Sequence, residues 1–173
     1  MKNNFKFRHP DENDAPLIQE LARKCPPLDV HTVYTYWVIC KFFSESCIIA
    51  EDNGVPFAYI TAVETDDTVF IWQICISEKY RGMKISALLI DFVLNYAEAK
   101  HKTVSVSIDK ENTASNSAFQ SYCSKNSYIL RCTGSLSLKD LSDPLFAENE
   151  ERYFNNGTER KIEPHKVWRL ITN

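Results

Sequence analysis

Glycine is scarce in this chain, with 4 among 173 residues, where average usage of about 7% would give about 12. So low a count argues against any function built on a long glycine-rich phosphate loop. Long hydrophobic runs are missing too. The apolar stretches Tyr34 to Phe43 and Val69 to Ile76 fall well short of the roughly 20 residues that a membrane helix needs. No basic run occurs and the net charge is −3, so the electrostatic footprint of a nucleic-acid binder is absent and a small cationic ligand fits better. The basic residues near Met1 are not followed by an apolar segment, and no secretory signal is expected. No two of the six cysteines stand in C-x-x-C spacing, and no Cys/His quartet has zinc-ligand spacing. The expectation is a metal-free cytoplasmic protein, with neither membrane nor nucleic acid as partner, whose reduced thiols serve as small core hydrophobes.

What is present is ordinary globular material: 44% apolar residues, with 10 Phe, 8 Tyr and 3 Trp. At about 150 residues per domain, this length predicts one domain spanning residues 1–173. Phe5 to Arg8 reads as a short strand, and Pro10 to Asp14 as turn and cap residues. Ala15 to Lys24 carries Leu17, Ile18 and Leu21 at helical spacing and must stop at Cys25-Pro26-Pro27. Asp29 is a plausible N-cap for a second helix running to Phe42. Three antiparallel strands then follow, Cys47 to Ala50, Phe57 to Val63 and Val69 to Ile76, the last apolar on both faces. A long helix from about Ile85 ends near Lys100-His101. Thr103 to Ile108, Thr113 to Cys123 and Tyr128 to Cys132 read as strand, helix and strand, so the last strands should run parallel in part. From Gly134 to Glu159 turn-like residues dominate, and Lys166 to Ile171 closes the chain as a strand.

The chemically informative junction is the apolar strand that runs into Arg81-Gly82-Met83-Lys84-Ile85-Ser86 and then a helix. A helix N-terminus offers unpaired N–H groups and a partial positive charge, which suits a phosphate or pyrophosphate. This spacing resembles the pyrophosphate loop of the GCN5-related N-acetyltransferase (GNAT) superfamily, Gln/Arg-x-x-Gly-x-Gly/Ala, with Lys84 and Ser86 standing at two of its small positions. The element order matches that superfamily over nearly the whole chain. The resemblance implies an α/β (α+β) fold with a mixed central sheet of about six to seven strands and helices on both faces. Within it, Cys25-Pro26-Pro27-Leu28-Asp29, Tyr34, Tyr36, Phe70-Ile71-Trp72-Gln73 and Asn112-Thr113-Ala114-Ser115 resemble the diaminobutyrate acetyltransferase branch of ectoine biosynthesis. His31 replaces an Asn usual in that branch.

The resemblance implies acetyl-CoA as cosubstrate, a small amine as substrate and a homodimer. Gly82 to Ser86, including Met83, Lys84 and Ile85, would hold the pyrophosphate with help from Arg81. Backbone N–H groups between Gln73 and Ile76, those of Ile74 and Ile76 among them, would meet the acetyl carbonyl. Asn112 would bond the pantetheine arm. Asp29 would pair the α-ammonium of diaminobutyrate, with Trp72 and Tyr34 as pocket walls and Glu163 as the acidic residue ahead of the last strand. Glu64 and His31 are candidates for the base, directly or through water. The family's thiolate acid is a Tyr where this chain has Phe119, which leaves Tyr122, one turn on, or no acid at all. Two alternatives stay open: an acetyltransferase of another diamine, polyamine or amino acid, and a non-catalytic binding protein in which Lys84 has closed the phosphate turn.

Overall fold

The computed structural model describes residues 5–109, 112–136 and 165–172. Chain entry is fixed by local chemistry. Strand β1 (Phe5–Arg8) leads to a 3-10 turn, Glu12–Asp14, where the Asp11 side chain accepts from the Asn13 N–H and Asp14 accepts from the Asp11 N–H. This reciprocal cap launches helix α1 (Ala15–Arg23), with Pro16 in its first turn, where a missing N–H costs nothing. Helix α2 (Val33–Phe42) starts later than the sequence suggests. Its N-cap is Thr32, whose side chain accepts from the Thr35 N–H, while Asp29 lies outside the helix.

The strands β2 (Ile48–Asp52), β3 (Val55–Glu64) and β4 (Thr68–Ile76) form the expected antiparallel meander. β4 alternates between buried and half-buried residues and, as the sequence suggests, packs apolar side chains on both faces, Val69 and Ile71 in one core and Cys75 in the other. Helix α3 (Ile85–Ala99), strand β5 (Thr103–Asp109), helix α4 (Thr113–Lys125) and strands β6 (Tyr128–Leu136) and β7 (His165–Thr172) complete the order. The seven strands make one sheet in the order β1-β2-β3-β4-β5-β7-β6. Among the described residues only the β4–β5 pair is parallel. The crossover β5-α4-β6 does give strands of the same direction, but they are not neighbours, because β7 inserts between them and pairs antiparallel with both.

Alternation along the strands divides the core between the two faces. Ile49, Tyr59 and Cys75 pack under Ile18, Leu21, Tyr36 and Cys40 of α1 and α2. Ala50, Ile60, Val69 and Ile71 face Leu89, Ile90 and Val93 of α3 and Phe119 of α4. All six cysteines are free thiols and all but Cys132 are buried. Burial pushes Cys40 up to about 12 and Cys47 up to about 11, which makes them poor nucleophiles. Among the described residues no helix is long and apolar enough to cross a membrane.

β1 is tied down by charge. The Arg8 guanidinium bonds both Asp14 oxygens at 2.7 Å and Glu51 at 2.6 Å, and both carboxylates belong to residues only 7% exposed. Burial alone would raise the Asp14 carboxyl, but bonds from Arg8 and the Asp11 N–H hold it below its ordinary 3.8. Its stabilisation is therefore complete above that pH and is lost as pH falls through the lowered folded value. Arg8→Met should cost about 3 kcal/mol or more in urea unfolding, because two buried carboxylates lose their cation. An unchanged midpoint would mean that water replaces the guanidinium without penalty.

Candidate active site

The site begins with a fault in the sheet. Thr61 pairs with Gln73 while Ala62 pairs with Ile71, so Trp72 is an extra residue on β4, a β-bulge. Parallel pairing of β4 with β5 stops at Ile71 and Val106, directly before the bulge. Beyond it β4 continues beside β3 only, and the last residues of β5 pair with β7. The strands have split. The Ser77 N–H donates to Phe57 O across from β3, so by antiparallel alternation Cys75 and Gln73 also face β3, and Ile74 and Ile76 turn their N–H and C=O groups toward the split. Among the described residues no strand meets them there.

Two cavities open along this split and share Pro27, Leu28, Ile74, Asn112 and Ser115. The smaller, about 380 Å³, reaches Ile76, Arg81, Gly82, Lys84, Ile85 and Ser86. The turn beneath it uses two left-handed residues, Gly82 at φ +79° and Lys84 at φ +62°. Lys84 is the N-cap of α3, and the helical ladder begins with the Ala87 N–H to Lys84 O. The first helical N–H groups, of Ile85 and Ser86, therefore have no intrahelical acceptor. Arg81 bonds Ile76 O through Nε at 3.1 Å, which ties the turn to the end of β4. Lys84 thus keeps the backbone shape that a glycine would adopt and adds a positive charge to the rim. Met83 is exposed and does not line the cavity.

The larger cavity, about 620 Å³, is lined by Asp29, His31, Trp72, Ser107, Asp109 and Phe119 among others. The His31 ring lies 4.6 Å from that of Trp72. Partial burial lowers His31 below its ordinary 6.5, against the raising influence of Asp29, so the imidazole is neutral at pH 7. Asn112 borders both cavities and caps α4 through Oδ1, which accepts from the Ser115 N–H; capping engages only the oxygen of that amide. The smaller cavity is lined by the cationic Arg81 and Lys84, and the larger by the carboxylates Asp29 and Asp109.

The split thus gathers Asp29, His31, Trp72, Ile74, Ile76, Arg81, Gly82, Lys84, Ile85, Ser86, Asn112 and Phe119. Besides Met83, three expected residues lie elsewhere. Glu64 ends β3 in a surface cluster, bonded to Lys102 at 2.5 Å, to Tyr96 and to Lys100, and the Lys102 bond foremost drives it down to about 2; so acidic a group, outside both cavities, cannot be the base. The Tyr122 hydroxyl donates to Asp91 of α3, and burial and that carboxylate raise its pKa, so it is no thiolate acid. Tyr34 is 71% exposed and stacks on Trp37 away from the cavities. Glu163 lies outside the described residues. Asp109, Ser107 and Gln73 were not singled out from the sequence as site residues, although a glutamine inside an apolar strand is a visible anomaly.

A split between a parallel pair of central strands, with a helix N-terminus at its end, suits a ligand that carries an anionic group; comparison with known proteins places the chain in a family. A model of the Acetyltransferase (GNAT) family matches residues 15–123, and the chain belongs to that family. Among curated relatives, the L-2,4-diaminobutyric acid acetyltransferase of Bordetella parapertussis is 27% identical over 121 residues, 66% of this chain and 64% of that protein. That of Halomonas elongata is 32% identical over 113 residues, 61% of this chain and 58% of that protein. The chain thus spans less than two thirds of the length of these relatives. A solved structure of the diaminobutyrate acetyltransferase EctA from Paenibacillus lautus, in complex with its substrate L-2,4-diaminobutyric acid and coenzyme A, superposes with a TM-score of 0.78 at 23% identity, covering 97% of this chain and 95% of that one. Ard1 from Thermoplasma volcanium gives 0.69 at 14% identity, covering 98% and 99%. At these identities the structural likeness shows the fold.

The left-handed turn makes a stability prediction. No atom stands within 4 Å of a Cβ built on Gly82, so Gly82→Ala should cost about 1 kcal/mol from backbone conformation alone. Lys84→Gly should be stabilising or neutral, within about 1 kcal/mol, as relief of the left-handed strain is set against unfolded-state entropy. Lys84→Val should destabilise. Chemical denaturation of the three variants checks the order, which inverts if the turn is not left-handed at position 84.

Proposed function

We propose that the chain is a single-domain, acetyl-CoA-dependent N-acetyltransferase acting on a small diamino acid, with the γ-amine of L-2,4-diaminobutyrate as the first choice of acceptor. One observation carries the reading: of two joined cavities on the split between β4 and β5, one is lined by basic side chains and the other by carboxylates. An anionic cofactor and a cationic substrate can enter from opposite sides and meet at Ile74. The names of the curated relatives support the choice of amine.

The residues suit an acyl-CoA. The α3 N-terminus and the Arg81 and Lys84 charges would hold its pyrophosphate, the free side of the Asn112 amide its pantetheine arm, and the N–H groups of Ile74 and Ile76 its carbonyl oxygen. Bound there, acetyl-CoA supplies an activated acyl carbon. Asp29 pairs the α-ammonium of the acceptor and orients its γ-amine, with Trp72 and His31 as the wall. His31, neutral at pH 7 and the lining residue with an intrinsic pKa nearest neutrality, takes the proton from the amine directly or through water. With Phe119 at the family's tyrosine position and Tyr122 bound to Asp91, the departing sulfur takes its proton from solvent. A homodimer in the cytoplasm belongs to the same proposal.

Lysine, ornithine or polyamines are the acceptors to compare, and thiol release with each decides the amine. Preferred turnover of diaminobutyrate supports the reading, and turnover of another amine alone moves the substrate without changing the reaction. Calorimetry with coenzyme A should give micromolar binding weakened about tenfold by Arg81→Ala, a cation-to-phosphate bond being worth about 1.5 kcal/mol or more. No heat with wild type would leave only a non-catalytic role. Deprotonation of the amine makes the rate climb with pH, and His31 adds a second limb: the logarithmic slope should steepen below a pH that lies under 6.5. His31→Gln should remove that limb and leave the first.

A further inference from the structure

The stretch Asp29 to Thr32 belongs to no helix or strand, yet it carries both Asp29 and His31 to the larger cavity. Three side-chain bonds hold it. Gln73 Nε2 donates to Asp29 O at 2.7 Å, Gln19 Nε2 donates to His31 O at 2.7 Å, and the His31 N–H donates to the Tyr36 hydroxyl at 3.4 Å. Gln73 is 5% exposed, and its Oε1 accepts from the hydroxyls of Tyr36, at 3.1 Å, and Tyr59, at 2.9 Å, both fully buried. The bonds close a ring: His31 N–H to Tyr36, Tyr36 to Gln73, and Gln73 back to Asp29. Two hydroxyl donors on one end of the amide fix that end as oxygen and the other as nitrogen. The bulge is what makes this reach available, since it puts Trp72 beside His31 and the adjacent Gln73 beneath Asp29.

We propose that Gln73 is a positioning residue for the amine: its amide, committed to Tyr36, Tyr59 and Asp29, sets where the loop bearing Asp29 and His31 stands beside Trp72. This rests on the larger cavity being the amine site. A glutamine meets all the demands of the position. Its oxygen accepts twice and its nitrogen donates once, whereas an ionised carboxylate cannot donate to Asp29 O and an apolar side chain would leave two buried hydroxyls without this acceptor and Asp29 O without this donor.

The test is Gln73→Glu, with Tyr59→Phe as the milder variant that keeps the packing and removes one bond to Oε1. With the preferred amine, kcat/KM for the amine should fall about tenfold or more in Gln73→Glu and about threefold in Tyr59→Phe, while KM for acetyl-CoA stays within about twofold. Equal loss for both substrates, or no loss in either variant, overturns the proposal. Amide exchange at His31 gives a reading independent of turnover: its N–H should exchange about tenfold faster in Gln73→Glu, or about threefold faster in Tyr59→Phe, with β3 amides unchanged. Unchanged exchange at His31 overturns the clamp even in an active enzyme. Should wild type acetylate no amine, the proposed function fails, and exchange alone decides whether Gln73 holds the loop.

Discussion

The site depends on the loss of pairing between β4 and β5 after Ile71 and Val106. A fully zipped sheet would bury the N–H groups of Ile74 and Ile76 in a ladder and leave no space between the strands. The bulge at Trp72 accompanies the split and redirects the strand locally. β7 makes the split tolerable, because it gives the far end of β5 another partner through Asp109. Backbone groups that a closed sheet would satisfy become available to a ligand, and those on the other edges stay paired.

Everything else in the site extends this fault in one direction or the other. Toward the chain's next helix, Gly82 and Lys84 turn the backbone through two left-handed residues and aim the start of α3 at the smaller cavity. Toward the other end, the loop bearing Asp29 and His31 is held over Trp72 by side-chain amides. Its carboxylate lines the larger cavity, and the two basic residues of the turn line the smaller. Charge is thereby separated within one continuous cleft, which suits two ligands of opposite sign better than one of either.

Much of the fold was legible in the sequence because its elements announce themselves locally. Thr103 to Ile108 marked β5, Phe57 to Val63 marked β3, and Pro26-Pro27 stopped α1. Strand order was not legible: that β7 would separate β5 from β6 depends on contacts between strands nearly sixty residues apart in sequence. The start of α2 was misplaced because Asp29 has the residue type of a cap, while its carbonyl is taken by Gln73, 44 residues away. Glu64 illustrates the same limit. Nothing near it in sequence signals Lys100 and Lys102, and only the fold brings them together to hold its carboxylate. The turn into α3 was readable from its spacing, although whether Lys84 could take a glycine's conformation required the backbone. Scarce glycine excluded a long phosphate loop and left room for this short one.

On the proposed function, the open edge of β4 and the turn into α3 receive the acyl donor. NMR-resolved amide exchange with and without acetyl-CoA tests this most directly. The N–H groups of Ile74, Ile76, Ile85 and Ser86 should become protected on binding, with Cys75, which already faces β3, unchanged. Binding that protects none of these four would contradict it.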